Sequence, residues 1–125
     1  MISDAESACR FCLENNLLVD RPLGRNQSFY MLGSIDPTLA DAVMIIPHRH
    51  VESPFEIGAA EWADLQEMLT LAKTHLAGTN PDGFTLGWNV GAVGGQTVFH
   101  AHLHVISRFA DEPQAGRGIR AFIRG

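Results

Sequence analysis

Residues 100–106 read His-Ala-His-Leu-His-Val-Ile, and this stretch decides how the rest of the chain is interpreted. Side chains alternate between the two faces of a β-strand, so a strand here places His100, His102 and His104 on one face and the apolar residues between them towards the core. Three imidazoles in a row are typical of a metal site, of a phosphate-handling site, or of both. An exposed polar strand face with incidental histidines is the alternative.

The residues just before this stretch are rich in glycine. Residues 89–97 read Asn-Val-Gly-Ala-Val-Gly-Gly-Gln-Thr. Glycine allows backbone N–H groups to approach a phosphate closely, and a histidine beside such donors could attack phosphorus as a nucleophile. The segment therefore predicts a phosphate-binding loop, with a plain hairpin loop as the alternative.

The remaining hydrophobic pattern predicts an α+β domain. A helix is expected over 59–77, because apolar residues recur there at spacings of three and four; they are Trp62, Leu65, Leu69, Ala72 and Leu76. Strands are expected at 17–20, 27–32, 42–47, 84–90 and 98–107, and a short helix at 9–15. This order favours an antiparallel sheet of about five strands, covered by the one long helix.

Length and charge exclude several classes of protein. The 125 residues contain no repeat or linker and predict one domain over 1–125, with a net charge of −5 that argues against a nucleic-acid polymer as partner. No apolar run reaches the roughly 20 residues that span a bilayer, and the first residues lack the features of a signal peptide, so we expect a cytoplasmic protein without a membrane partner. The tail from about residue 108 is locally basic, and we expect it to be a solvated terminus. Contact of the tail with the phosphate site of a neighbouring subunit is the alternative.

The two cysteines, Cys9 and Cys12, have the spacing of half a zinc site. A disulfide is not expected in a reducing compartment, and two thiolates need two further ligands to complete a tetrahedron. A free thiol pair and a redox-active pair are the alternatives.

These segments together resemble the histidine-triad (HIT) family. The resemblance rests on residues 100–106, on Gly-Gly-Gln-Thr-Val-Phe at 94–99, on Asn89 and on Ile-Pro-His-Arg-His at 46–50, and it extends from Cys9 to about Arg108. Residues 111–120 are similar to the ends of bacterial members described as diadenosine-tetraphosphate-hydrolase-like.

The resemblance implies a nucleotide hydrolase or nucleotidyl transferase that acts at the α-phosphate of dinucleoside polyphosphates or nucleoside phosphoramidates. It implies that His102 is the nucleophile and forms a nucleotidyl-histidine, and that His104 contacts the phosphate and assists the leaving group. The implied substrate-binding residues are Asn89, Gln96, Thr97 and His104. A purine nucleotide and a homodimer are also implied. A non-catalytic zinc-stabilised nucleotide-binding module and a catalytic metal on the three triad histidines are the alternatives.

The resemblance to zinc-containing members implies a structural Zn²⁺ site formed by Cys9, Cys12, His50 and His100, which leaves His102 and His104 free for chemistry. The chain also departs from the family pattern. Ser34 stands where members usually carry an acid that holds the ribose hydroxyls, with Asp36 as the nearest possible substitute, and Asp41-Ala42 replaces the usual Gly-His pair.

Overall fold

A five-stranded antiparallel sheet forms the frame of the protein in this computed structural model, which describes residues 8–34 and 41–122. The strands are β1 (Gly24–Arg25), β2 (Phe29–Gly33), β3 (Ala42–Pro47), β4 (Gly83–Trp88) and β5 (Leu103–Arg108). They lie in the order β1-β2-β3-β5-β4, and each pair of neighbours is antiparallel. One long helix, α1 (Ala59–Leu76), lies between β3 and β4 in the chain. The predicted α+β class and the antiparallel sheet are confirmed.

Strand β3 separates two apolar clusters. All six of its residues are buried, as the continuous apolar run at 42–47 predicts. Because side chains alternate, Val43 and Ile45 join a cluster with α1, whereas Met44 and Ile46 join a second cluster with Cys9 and Cys12. The sheet is thus covered by the helix on one face and partly by the N-terminal segment on the other.

Helix α1 buries a narrower stripe than the sequence pattern suggests. Its buried residues are Leu65, Met68, Ala72 and Leu76. Trp62 is not in this core: it is 44% exposed, and its ring lies edge-on to the ring of Trp88 with centroids 6.3 Å apart. Leu69 is only half-buried against the core. Met68, which the sequence pattern did not include, is buried, because it lies three residues after Leu65 and four before Ala72 on the same side of the helix.

Ion pairing and capping fix the start of α1. The carboxylate of Glu61 accepts a hydrogen bond from the Gly58 N–H (3.0 Å), which satisfies one of the free donors of the first turn. The Arg49 guanidinium lies 2.7 Å from the same carboxylate and lowers the pKa of Glu61. The loop after β3 is thereby tied to the helix that follows it.

Three predicted elements differ from the structure. The strand predicted at 17–20 is absent, and Val19 is 95% exposed there. The short helix predicted at 9–15 is only a 3₁₀ turn over Leu13–Asn15, and Asn16 ends it with a φ of 57°. The strand predicted at 98–107 begins only at Leu103, because the Ala101 N–H donates to the Val51 carbonyl (2.7 Å) in a loop rather than to a neighbouring strand. Within the described ranges, no helix is long and apolar enough to cross a membrane.

The tail after β5 has local structure and is largely exposed. Turns occupy residues 110–116, and a 3₁₀ turn over Ile119–Phe122 follows them. The side chain of Arg108, the last residue of β5, donates to the carbonyls of Gln114 (2.7 Å) and Arg117 (2.6 Å). Hydrogen bonds from Arg108 therefore connect this exposed segment to the end of β5.

Candidate functional site

Two cysteines and two histidines meet on the sheet face opposite α1. One potential ligand atom from each of Cys9, Cys12, His50 and His100 lies within 4.8 Å of the other three. The His100 Nδ1 atom lies 3.4 Å from the Cys9 Sγ and 3.5 Å from the Cys12 Sγ, and the His50 Nδ1 atom lies 3.2 Å from the Cys12 Sγ. The structure thus brings together all four residues that the resemblance implies as metal ligands.

The spacing of these atoms fits a tetrahedral ion. Four ligands at zinc's usual bond lengths of about 2.0–2.3 Å lie roughly 3.3–3.8 Å from one another. The sulfur–nitrogen distances given above fall close to that range, and two sulfurs with two imidazole nitrogens are a donor set that zinc prefers.

His100 is held in the orientation that a ligand needs. It is fully buried, and its Nε2–H donates to the Pro47 carbonyl (2.6 Å), which leaves Nδ1 unprotonated towards the sulfurs. Burial lowers the pKa of His100 to about 4, so the ring is neutral at physiological pH.

The turn that carries the cysteines is fixed by two residues that the sequence did not single out. The Tyr30 hydroxyl donates to the Phe11 carbonyl (2.5 Å), and the Asn15 side-chain amide donates to the Cys9 carbonyl (2.8 Å). The spacing of residues in the sequence does not indicate the Tyr30 contact, because Tyr30 lies on β2, 19 residues from Phe11.

His102 lies directly beside this cluster and points into a separate cavity. It is 6% exposed and its Nδ1 atom lies 2.9 Å from the His100 carbonyl oxygen. A carbonyl only accepts, so Nδ1 carries the proton and Nε2 keeps a free lone pair. Burial lowers the pKa of His102, which favours this neutral form.

His104 is the one triad histidine inside β5. Its ring centroid lies 4.9 Å from that of His102, and burial lowers its pKa as well. Its buried Nδ1 has no hydrogen-bond partner among the described residues. The expected alternation of faces holds through 100–105, since Ala101, Leu103 and Val105 lie in the helix-side core.

Both histidines line an open cavity of about 420 Å³. Its polar lining side chains are Arg10, Ser34, Thr85, Asn89, Thr97, His102 and His104. Phe11, Met44, Ile106 and Ile119 supply apolar walls. An imidazole with a free lone pair, beside amide, hydroxyl and guanidinium donors, is an arrangement that can attack and hold a phosphate.

The glycine N–H groups of the loop over 89–97 have partners within the loop. The Gly94 N–H donates to the Gly91 carbonyl, the Gly95 N–H to Ala92, and the Gly91 N–H to the Gln96 side chain (2.8 Å). Gly91 and Gly95 have φ values of 73° and 96°. These glycines therefore adopt the backbone conformation that the loop requires, and their N–H groups form hydrogen bonds within the loop.

Gln96 is likewise engaged away from the cavity. Its amide nitrogen donates to the carbonyls of Glu52 (2.7 Å) and Val98 (3.1 Å), and its oxygen accepts from Gly91. It is buried and does not line the cavity, in contrast to Asn89 and Thr97. The contact of Gln96 with substrate that the resemblance implies is therefore not supported by its position.

The cavity also contains residues that sequence reasoning missed. Arg10 lines it, with its guanidinium 4.9 Å from the Phe11 ring centroid. A basic residue between the two cysteines was a signal that could have been used. Nothing in the sequence indicates that Ile119 would line the cavity, because only the fold of the C-terminal tail places it there. Ser34 lines the cavity, whereas Asp36 lies outside the described residues.

Comparisons with known proteins agree on one family. The HIT domain model matches residues 20–111. The chain is 27% identical over 123 residues to the uncharacterized HIT-like protein MG132 of Mycoplasma genitalium, and the match covers 94% of this chain and 82% of that protein. It is 31% identical over 83 residues to a bis(5'-adenosyl)-triphosphatase of Dictyostelium discoideum, a match that covers 63% of this chain and 54% of that protein.

Solved structures give the same result for the fold. A HIT family protein from Bacillus anthracis superposes with a TM-score of 0.74 at 25% sequence identity. The superposition covers 83% of this chain and 75% of that protein.

Proposed function

Because the chain belongs to the HIT domain family, we propose that it is a nucleotide hydrolase or nucleotidyl transferase with His102 as its nucleophile. The observation that carries this proposal is the hydrogen bond from the His102 Nδ1–H to the His100 carbonyl. It orients the ring within the cavity and leaves Nε2 as the nitrogen that can attack.

The proposed reaction has two displacements at one phosphorus. Nε2 of His102 bonds to the α-phosphorus, while the bond from that phosphorus to the leaving atom breaks and the leaving group departs with the electron pair. Water then bonds to the phosphorus and loses a proton, and the bond to Nε2 breaks to regenerate the imidazole. Another nucleophile in place of water would make the protein a transferase.

Other residues around the cavity stabilise the transferring group in this proposal. The Asn89 amide and the Thr97 hydroxyl are neutral donors on its wall, and His104 lies beside His102 with an unpartnered Nδ1. His104 would hydrogen-bond the phosphate or the leaving atom and so assist the departure of the leaving group. We assign Gln96 to the support of the loop over 89–97 rather than to contact with substrate.

The family and the name of one relative support a substrate class. The Dictyostelium protein is named for hydrolysis of a substrate in which two adenosines are joined by three phosphates. We therefore propose dinucleoside polyphosphates or nucleoside phosphoramidates, with a purine base. The apolar Phe11 and Met44 in the cavity wall are suited to a flat base.

We also propose that Cys9, Cys12, His50 and His100 hold one structural zinc ion. All four protein ligands are present, so the ion would be closed to substrate and would stabilise the fold. A homodimer remains a prediction; β4 lies at the edge of the sheet and exposes Leu86, which is compatible with a second copy of the chain.

Trapping the covalent intermediate tests the proposed function. The protein is mixed with dinucleoside polyphosphates and nucleoside phosphoramidates, quenched in denaturant at alkaline pH, and digested for mass spectrometry. We expect a nucleoside monophosphate on the peptide that contains His102. His102→Ala should lose about 10³-fold or more in kcat/KM.

His75→Ala is the matched control, because His75 is exposed near the end of α1, far from the cavity lining. Full turnover by His102→Ala on every substrate contradicts the proposal. Nucleotide binding without turnover by the unmodified protein would favour the binding module instead.

A further inference from the structure

The side chain of Arg108 joins β4, β5 and the C-terminal segment, which is defined here as residues 109–122. Its guanidinium donates to the Thr85 hydroxyl (2.9 Å) on β4 and to the carbonyls of Gln114 and Arg117. It also pairs with the Glu112 carboxylate at 2.6 Å. A planar guanidinium can donate hydrogen bonds to all of these partners at the same time, which the ammonium group of a lysine cannot do with the same geometry.

One residue of the C-terminal segment and one residue of β4 line two neighbouring cavities. Ile119 and Thr85 line the cavity of His102 and His104, and both also line an adjoining cavity of about 790 Å³. Ile119 packs on Gly87 of β4, where an added Cβ atom would lie 3.6 Å from the Ile119 side chain. The two cavities are thus neighbours that share this boundary.

The adjoining cavity has an unneutralised positive charge. Arg117 and Arg120 line it and are exposed. In the part of the chain that the structure describes, neither forms an ion pair, and the nearby Glu112 is taken by Arg108. The Arg117 guanidinium donates one hydrogen bond to the Gln114 side-chain oxygen (3.4 Å) and has further N–H donors. In a chain with a net charge of −5, two guanidinium groups without a carboxylate partner among the described residues, beside the cavity of His102 and His104, favour an anionic ligand.

We propose that Arg117 and Arg120 bind the phosphates of the leaving group, so that the protein prefers substrates whose leaving group is itself a phosphate chain. This inference rests on the proposed function and refines it towards dinucleoside polyphosphates rather than phosphoramidates. While Nε2 of His102 bonds to the α-phosphorus, the bridging oxygen departs with the electron pair on a nucleoside polyphosphate, and the two arginines stabilise its added charge. Arg108 is a positioning residue, because it acts through the C-terminal segment.

A pair of double variants tests the assignment. The full chain, Arg117→Ala/Arg120→Ala, and Arg21→Ala/Arg25→Ala are assayed on diadenosine tetraphosphate and on an adenosine 5'-phosphoramidate with an uncharged amine as leaving group. Both double variants change the net charge equally, but Arg21 and Arg25 are exposed residues in and near β1, outside both cavity linings.

We expect the ratio of kcat/KM for the polyphosphate to that for the phosphoramidate to fall about 10–100-fold in Arg117→Ala/Arg120→Ala. The ratio should stay within about twofold in the Arg21→Ala/Arg25→Ala control. Arg108→Lys, which keeps the charge but not the planar fork, should lower kcat for the polyphosphate while kcat for the phosphoramidate changes little. An unchanged ratio in Arg117→Ala/Arg120→Ala, or the same fall in the control, overturns the assignment.

Binding of inorganic tripolyphosphate, measured by calorimetry, separates failure of this inference from failure of the proposed function. If the unmodified protein turns over neither substrate but binds tripolyphosphate through Arg117 and Arg120, the proposed function fails and the anion site stands. If all variants bind tripolyphosphate equally, the anion site is wrong whatever the turnover.

Discussion

One buried hydroxyl group helps to hold the turn between the two cysteines. Tyr30 is fully buried on β2, and its hydroxyl donates to the Phe11 carbonyl in the middle of the Cys9–Cys12 turn. Burial raises the pKa of Tyr30, so the group stays protonated and remains a donor. The position of both sulfurs therefore depends on a residue that binds no metal itself.

Replacing Tyr30 by Phe tests this dependence. The variant leaves a buried carbonyl without a partner, which costs about 1–3 kcal/mol of stability, and a loosened turn should weaken zinc binding roughly 10–100-fold. Affinity is measured by competition with a chromophoric chelator. Thr70→Val is the control, because it removes a hydroxyl donor to a backbone carbonyl on the exposed face of α1. Equal zinc affinity in the two variants would show that Tyr30 does not position the cysteines.

At this scale the sequence indicated which residues carry chemistry but not how they are oriented. The spacing of Cys9 and Cys12 and the period of the three histidines are visible in the sequence, and the structure brings these residues together. The hydrogen bond from His102 to the His100 carbonyl is not visible, because it depends on local backbone direction. The same holds for Gln96, whose amide bonds to backbone groups that the sequence does not show to be near.

Among the elements, the loop over 89–97 depends most on glycine. Four of its residues donate their backbone N–H groups within the loop, and two have positive φ values. Gly94 is the most restricted by its surroundings, since a Cβ atom there would lie 2.3 Å from the Val90 carbonyl oxygen. The loop can keep its path past Asn89 and Thr97 only with glycine at this position.

Gly94→Ala should therefore displace the loop. We expect kcat/KM to fall about 10–100-fold, since misplacement of binding groups by about 1 Å has effects of this size, with a stability loss of about 1–3 kcal/mol. Gly78→Ala is the control, because nothing lies within 4 Å of an added Cβ there. Steady-state kinetics and thermal unfolding of both variants check the prediction, and normal kinetics in Gly94→Ala would rule it out.

Burial was easier to predict than hydrogen bonding at the scale of elements. The apolar run at 42–47 and the helix from Ala59 match the structure closely. The strand expected from 98 begins at Leu103, although the alternation of faces continues before it. An alternation with a period of two indicates which side chains are buried. A β-strand must also form backbone hydrogen bonds with a neighbouring strand, and the Ala101 N–H donates to the Val51 carbonyl in a loop.

On the scale of the whole molecule, the two faces of the sheet are stabilised differently. The face towards α1 has a large apolar cluster, whereas the other has a smaller cluster that contains Cys9 and Cys12. A metal ion in that smaller cluster would link the N-terminal segment to residues 50 and 100. The hydrogen bonds that connect the C-terminal segment to Arg108, in contrast, could not be predicted from the sequence, because a basic composition is equally typical of a tail without such contacts.

Removal of the metal should consequently loosen one face more than the other. We expect about one equivalent of zinc in the purified protein, and a loss of more than about 2 kcal/mol in the free energy of unfolding after chelation or in Cys12→Ser. Hydrogen exchange should accelerate over residues 8–20 while α1 stays protected. Absence of zinc from protein with freely titratable thiols, or equal exchange of both regions, would refute this.

One residue joins the two parts of the site. The His100 side chain faces the cysteines, and its backbone carbonyl orients the His102 ring. Tolerance to substitution should therefore differ along the cluster. A replacement at position 50 removes one ligand only, whereas a replacement at position 100 also removes the buried ring that anchors the backbone carbonyl holding the His102 imidazole. We expect position 100 to accept fewer amino acids than position 50 when libraries at the two positions are compared by selection for activity.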